Sequence, residues 1–220
     1  MDILNLVVQY FLYFIFYSIL GWIVETIYIY IGTGKWCNRG FFIGPYCPIY
    51  GFGCVFIVIL LGRYADSPLV LFFMSLIICS ILEYFTSYIL EKIFNARWWD
   101  YSKRKYNING RICLETLVPF GLGGVIVIYL VHPFISRIVN LLSPNVKYII
   151  AGVLAVIFLT DLIVSSKIIF SFKNKLSKLV KDNTGEIKDK IKSIFKKPSI
   201  NRLMNSFPNI KNKFSKFRDK

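Results

Sequence analysis

From Leu6 to Ile31 the chain is apolar and aromatic, broken chiefly by Gln9, Ser18, Gly21 and Glu25. About 20 apolar residues carry a helix across the ~30 Å hydrocarbon core of a bilayer. Inside that core every backbone N–H and C=O must be satisfied within the protein, which leaves a long apolar segment little choice but helix. Runs of the same character recur at Leu69 to Leu90, Leu117 to Phe134 and Tyr148 to Ser166, with a shorter one at Cys54 to Leu61. The expected fold is all-α, a polytopic membrane bundle of about five transmembrane helices. The start, Met1-Asp2-Ile3, lacks a basic region and the run behind it is too long for a cleavable signal peptide.

Two of these segments are entered through helix-breaking sequence. Gly44-Pro45-Tyr46-Cys47-Pro48-Ile49-Tyr50-Gly51-Phe52-Gly53 leads into the second, and Pro119-Phe120-Gly121-Leu122-Gly123-Gly124 opens the fourth. Either the second helix starts after Pro48, or the backbone is broken at membrane depth, where it must be enclosed by protein or line a cavity. Lys35-Trp36 and Arg97-Trp98, each following a span with a Ser-Ile-Leu motif (Ser18, Ser80), suggest a parallel internal repeat.

Composition agrees with a membrane protein. The chain is 55% apolar with mean hydropathy +0.56, where soluble domains run at about 45–50%. The net charge of +15 is concentrated at one end, with 16 of the 27 basic residues lying from Lys167 onward. That distribution divides the chain into a transmembrane domain, 1–171, and a basic tail, 172–220. It also makes nucleic acid a poor partner for the body. In the tail Phe172, Leu176, Leu179, Val180, Ile187, Ile191, Ile194 and Phe195 recur at helical spacing among lysines. A basic amphipathic segment of this kind suits the surface of an anionic leaflet; a solvated basic tail is the plainer alternative.

Basic loop residues retain the cytoplasmic side. With the N-terminus outside, the inner loops hold Lys35, Arg39, Lys92, Arg97, Lys103, Arg104, Lys105 and Arg111, and the outer ones only Arg63, Arg137 and Lys147. The expected arrangement is therefore N-out and C-in, a multi-pass protein of the cell membrane. The five cysteines show no CxxC and no histidine at ligand spacing, so apolar packing is expected and no metal or cofactor site. His132, followed by Pro133, falls at a predicted membrane edge.

The polar stretch Arg97-Trp98-Trp99-Asp100-Tyr101-Ser102, followed by Asn107-Ile108-Asn109-Gly110-Arg111-Ile112-Cys113, is richer than a connector needs. It predicts a structured cytoplasmic-side loop. Trp98 suits an interfacial aromatic belt; Trp99, beside Asp100 and Tyr101, suits a site. Carboxylates cost about 2.5–3.5 kcal/mol or more at mid-bilayer, so Glu25, Glu83, Glu91 and Asp161 need a purpose. All four fall toward the inner half, with Glu25 ~9 Å from the end of its span. The expected ligand-binding set is Glu25, Tyr50, Glu83, Glu91, Arg97, Trp99, Asp100, Tyr101, Asn107, Asn109 and Arg111. The competing account is helix-to-helix pairing of Glu83 or Glu91 with Arg97 or Arg111. Asp161 either joins the site or snorkels beside Lys167.

Gly21-Trp22-Ile23-Val24-Glu25, Pro48 to Gly53, Trp99-Asp100-Tyr101-Ser102 and Asn107 to Leu114 resemble the ABC-transporter type IV (CmpB-like) membrane proteins, a family that includes small vertebrate transmembrane proteins. The resemblance covers roughly residues 8–165 and leaves out the tail. It implies a permease-like transport component. The chain has no GxxxxGK[ST] phosphate loop, so any ATPase would be a separate subunit. A membrane-embedded enzyme acting on a lipid or prenyl headgroup, with Asp100, Glu83 or Glu91 as acid or base, and a non-catalytic scaffold are the rival classes. No nucleophile–base pair is visible, so catalytic residues are not assigned; oligomeric state is not legible.

Overall fold

The computed structural model describes residues 2–38, 40–94, 97–181, 200 and 202, and for 172–181 the backbone alone. Helix α1 spans Ile3–Thr33 and closes on Gly34, whose left-handed backbone (φ 66°) lets its N–H reach the Tyr30 carbonyl at 2.8 Å. Helix α2, Pro48–Leu61, runs into a 3-10 turn at Gly62–Tyr64. Helix α3 is Pro68–Phe94. A two-stranded antiparallel hairpin comes next, β1 (Asn107–Ile108) with β2 (Ile112–Cys113), pairing Ile108 with Ile112. Helix α4, Leu114–Ile126, continues through a π-helical turn, Val127–Val131, into α5, His132–Leu141. Helix α6 is Pro144–Lys181.

Among the described residues four helices are long and apolar enough to cross a membrane: Ile3–Thr33, Pro68–Phe94, Leu114–Leu141 and Pro144–Ser171. The fifth, Pro48–Tyr64, is shorter. At 14 residues α2 is about 21 Å long, less than the hydrocarbon thickness. It begins at Pro48, whose missing N–H costs nothing in the first turn. The Cys47 N–H just before it donates to the Ser18 carbonyl, 2.9 Å away, midway along α1. The Gly-Pro segment thus ends beside the middle of a neighbouring helix, where protein supplies the partners that lipid cannot.

Close packing comes from small residues. A Cβ on Gly51 would fall 2.2 Å from Ser18 Oγ and 2.7 Å from the Phe14 carbonyl oxygen. One on Gly124 would fall 1.9 Å from Ser75 Oγ. These contacts seat α2 on α1 and α4 on α3, the two most extensive helix pairings. Without a hydrophobic drive between helices in lipid, such close approach is what association rests on. Among the described residues two apolar clusters pack the bundle. Leu12, Tyr13 and Tyr17 meet Ile135, Val139 and Ala151, while Ile57, Leu61 and Leu71 meet Val127 and Ile128. The outward residues, among them Val7, Ile59, Phe73, Leu130 and Val156, remain exposed and apolar, as lipid contact requires.

Two placements differ from expectation. His132 lies inside a continuous helix, not at its edge, because α4, the π turn and α5 are uninterrupted and Pro133 falls in the first turn of α5. Trp98 is buried against Phe41 and Phe94 instead of lying in an interfacial belt. The backbone of α6 runs on to Lys181. The amphipathic positions Ile187, Ile191, Ile194 and Phe195 lie outside the described residues.

Candidate functional site

Glu25 of α1 and Glu83 of α3 stand within electrostatic reach of one another, each with a tyrosine. Tyr50 Oη donates to Glu25 Oε1 at 2.5 Å, and Tyr101 Oη to Glu83 Oε1 at 3.2 Å. Each tyrosine senses both carboxylates. Tyr50 reaches this position because α1 carries no side chain at Gly21: a Cβ there would lie 2.3 Å from Tyr50 Cγ. Tyr101 arrives from the loop after α3. Glu83 is 7% exposed, and its Oε2 has no hydrogen-bond partner among the described residues. Thr116 stands beside it at the start of α4, its hydroxyl donating to the Cys113 carbonyl at 2.8 Å. Burial, with the Glu83 charge next, pushes the Tyr101 phenol well above its ordinary range, so it remains a donor.

The hairpin is built around Asn109 and Gly110, both at positive φ (53° and 68°), the pair that tight turns of this hand favour. Gly110 N–H donates to Asn107 Oδ1 at 2.9 Å, and Tyr101 N–H to the Gly110 carbonyl at 2.8 Å. Asp100 Oδ1 accepts the Ser102 hydroxyl at 2.5 Å and the Ser102 N–H at 3.0 Å. The Ser102 hydroxyl first, then its amide and Arg97, hold the Asp100 carboxyl below its usual 3.8. Trp99 Nε1 donates to the Arg111 carbonyl at 3.0 Å, and Asn109 Nδ2 to Tyr84 Oη at 2.9 Å. These bonds turn the loop into a fixed platform against α3.

Arg111 and Arg97 share one carboxylate. Arg111 Nη2 lies 2.6 Å from Glu91 Oε2, and Arg97 Nε lies 3.1 Å from Glu91 Oε1. Arg111 also donates to Ser87 Oγ at 3.2 Å and stacks over the Tyr84 and Tyr88 rings. The ion pairing considered from sequence therefore exists for Glu91, but it joins α3 to the following loop and hairpin and not helix to helix, whereas Glu83 faces tyrosines.

The eleven expected residues fall into two neighbouring groups. Glu25, Tyr50, Glu83 and Tyr101 converge. Glu91, Arg97, Trp99, Asp100, Asn107, Asn109 and Arg111 form the clamp that positions Tyr101. Asp161 joins neither. Its carboxylate accepts the Ile43 N–H (3.0 Å), the Gly44 N–H (2.7 Å), Tyr46 Oη (2.5 Å) and Ser165 Oγ (2.7 Å), so it holds the segment before α2 and does not snorkel. Arg202 meets that same segment, donating to the Phe42 carbonyl at 2.5 Å. Thr116, Ser87 and the Tyr84–Tyr88 pair are not legible in the sequence. Hydroxyl and aromatic residues are common in apolar helices, and only the fold selects which ones face a charge.

No curated protein and no solved structure matches the chain. The family described as "Putative ABC-transporter type IV" matches residues 12–166, which include α2 to α5, the hairpin and both carboxylate–tyrosine pairs. The chain is thus a membrane protein of a transport-related kind, and it belongs to that ABC-transporter type IV family.

Proposed function

We propose that the chain is the membrane-spanning component of a transport system, with Glu83, Glu25, Tyr50 and Tyr101 binding a polar or cationic ligand. The observation that carries this reading is Glu83, a buried carboxylate that accepts from the Tyr101 phenol on one oxygen, has no hydrogen-bond partner on the other among the described residues, and lies within electrostatic reach of Glu25 and Tyr50. Intramembrane acids arranged this way mark ligand or ion pathways in membrane proteins generally. Tyr50 and Tyr101 are donors that hold the carboxylates in place; the ligand's positive charge would supply what the acids lack. The clamp of Glu91, Arg97, Arg111 and the Asn109-Gly110 turn keeps Tyr101 aimed at Glu83.

The protein lies in the cell membrane as a multi-pass chain, N-terminus out and C-terminus in, with the hairpin at the cytoplasmic face. Its basic tail meets anionic lipid there. An ATPase, if the system uses one, is a separate subunit, because this chain has no phosphate loop. A lipid-headgroup enzyme is the weaker reading, since Arg97 and Arg111, the natural phosphate anchors, both face Glu91.

The test is a thermal-shift screen of the purified protein in detergent against alkali ions, primary and quaternary amines and polyamines at neutral pH. At least one cation is expected to raise the unfolding temperature of the wild type and to lose that effect in Glu83→Gln. A ligand present at 100 times its Kd adds about 2.7 kcal/mol, well within detection. If no cation shifts the wild type, or Glu83→Gln responds unchanged, the site does not bind one.

A further inference from the structure

The polypeptide between α1 and α2 is fastened to several parts of the molecule. Asn38 takes the Trp22 indole N–H of α1 on its Oδ1 at 2.7 Å and donates its own amide to the Ile43 carbonyl at 2.9 Å. Asp161 of α6 accepts the Ile43 and Gly44 N–H groups, and the Cys47 N–H reaches the Ser18 carbonyl. A further fastening comes from the basic tail. Arg202 Nη1 donates to the Phe42 carbonyl at 2.5 Å, and Nη2 to the Phe41 carbonyl at 3.3 Å. Ile200, two positions earlier, is buried at 5% exposure.

Two adjacent backbone carbonyls taken by the two prongs of one guanidinium is a geometry that a planar fork provides and the point charge of a lysine does not. The carbonyls it takes belong to residues whose rings are already anchored. Phe41 packs on Phe94 and Trp98, with centroids 5.6 and 5.7 Å away, and Phe42 stacks on Phe158 of α6 at 5.0 Å. From there the segment leads to the ligand site. The Cys47 carbonyl accepts the Tyr50 N–H at 3.1 Å, Pro48 opens α2, and Tyr50, the third residue of that helix, donates its phenol to Glu25. The tail that carries Arg202 also has a competing destination. From Lys167 onward the chain holds 16 basic residues against four acids, and an anionic leaflet attracts such a segment. A lipid phosphate takes the same two-pronged fork as the two carbonyls, so for Arg202 the two destinations exclude each other.

We propose that the tail is a latch: Arg202 and Ile200, seated at Phe41 and Phe42, hold the segment before α2 and through it the Tyr50–Glu25 bond, and an anionic lipid surface that draws the tail away releases both. Docked, the tail keeps one oxygen of Glu25 engaged by a phenol; released, it frees that carboxylate. The purpose of the latch rests on the ligand site proposed above, but its test reads the Glu25 carboxylate directly and needs no bound cation.

The full chain is placed in nanodiscs of phosphatidylcholine, or of phosphatidylcholine mixed with phosphatidylglycerol, and treated with dicyclohexylcarbodiimide, which adds to carboxyl groups in apolar surroundings. Mass spectrometry follows labelling of Glu25, with Glu83 as internal comparison. Tyr50→Phe, which removes the phenol itself, sets the rate of a freed Glu25. In phosphatidylcholine, Arg202→Ala and Arg202→Lys are each expected to label Glu25 about tenfold faster than the wild type, the scale of an ordinary coupling between two sites. Glu83 labelling stays the same, whereas loss of the fold would raise both. The wild type in phosphatidylglycerol is expected to match the Arg202 variants. Arg218→Ala, which removes an equal charge elsewhere in the tail, is expected to keep the wild-type rate. The latch is overturned if Arg202→Ala labels like the wild type, if Arg218→Ala labels as fast as Arg202→Ala, or if the wild type labels alike in both lipids. A cation response without these labelling changes would remove the latch and leave the ligand site standing; the labelling changes without any cation response would do the reverse.

Discussion

At Gly110 the backbone sits at φ 68°, and a Cβ would lie 2.3 Å from Ser102 Oγ and 2.7 Å from Asp100 Oδ1. Gly110→Ala should therefore strain the turn and push the Asp100–Ser102 pair apart, costing about 1–3 kcal/mol. The loss is read as a lower unfolding temperature in detergent, with Trp99 fluorescence reporting the loop. Asp100 gives the loop a pH dependence of definite sign. Because its carboxyl titrates lower in the folded loop than its usual 3.8, its stabilising contribution is present above that value. It disappears as the pH falls through the folded value. Trp99 emission should accordingly report loosening only below about pH 4, and Asp100→Asn should remove that dependence. A loosening centred near neutral pH would rule Asp100 out as its cause.

Among the elements, the hairpin and α3 are joined through Glu91. Arg111 has 10% side-chain exposure, and its partners are Glu91, Ser87 and two tyrosine rings. Glu91→Ala leaves a largely buried guanidinium without its carboxylate, a change worth about 3 kcal/mol. The expected result is a large drop in unfolding temperature, only partly recovered by Glu91→Asp, whose shorter arm falls short of two guanidinium groups. The α1–α2 contact makes a different demand. At Gly51 the obstacle includes the Phe14 backbone carbonyl, which cannot rotate away. Gly51→Ala should separate the two helices at about 1–3 kcal/mol and weaken the neighbouring Tyr50–Glu25 bond. Its unfolding temperature should fall, and a response no larger than that of Gly152→Ala, where a Cβ meets open space, would contradict this packing.

Across the whole molecule, α6 is tied to the segment preceding α2 by Asp161, which collects two amides and a phenol from that segment and the hydroxyl of Ser165 on α6 itself. Asp161→Ala leaves the Ile43 and Gly44 N–H groups without that acceptor, so protease or hydrogen-exchange protection of 41–47 should fall while the α3–hairpin clamp keeps its own. The proposed N-out orientation has an equally direct test. With Cys37 and the other native cysteines replaced, single cysteines at Lys103 and at Lys147 should react with a membrane-impermeant maleimide from opposite sides of sealed vesicles. Labelling of both from the same side would break the alternation of spans.

Apolar runs of about 20 residues made membrane helices unavoidable, and the Asn109-Gly110 pair made a tight turn legible, because both depend on chemistry local in the chain. The family likeness came from motifs in their order, and the match over 12–166 agrees with it. Local chemistry does not say which partner a charge meets. Glu83 and Glu91 lie two helical turns apart on one helix, yet the loop and hairpin after α3 bring Arg97 and Arg111 to Glu91 and the Tyr101 phenol to Glu83. Nor did the chain by itself disclose that His132 would leave the expected membrane edge to meet Tyr17, or that Asp161 would cap the segment before α2. Those contacts join residues more than a hundred positions apart, and they are decided by helix crossings that small residues permit and by one π turn that rotates everything after it.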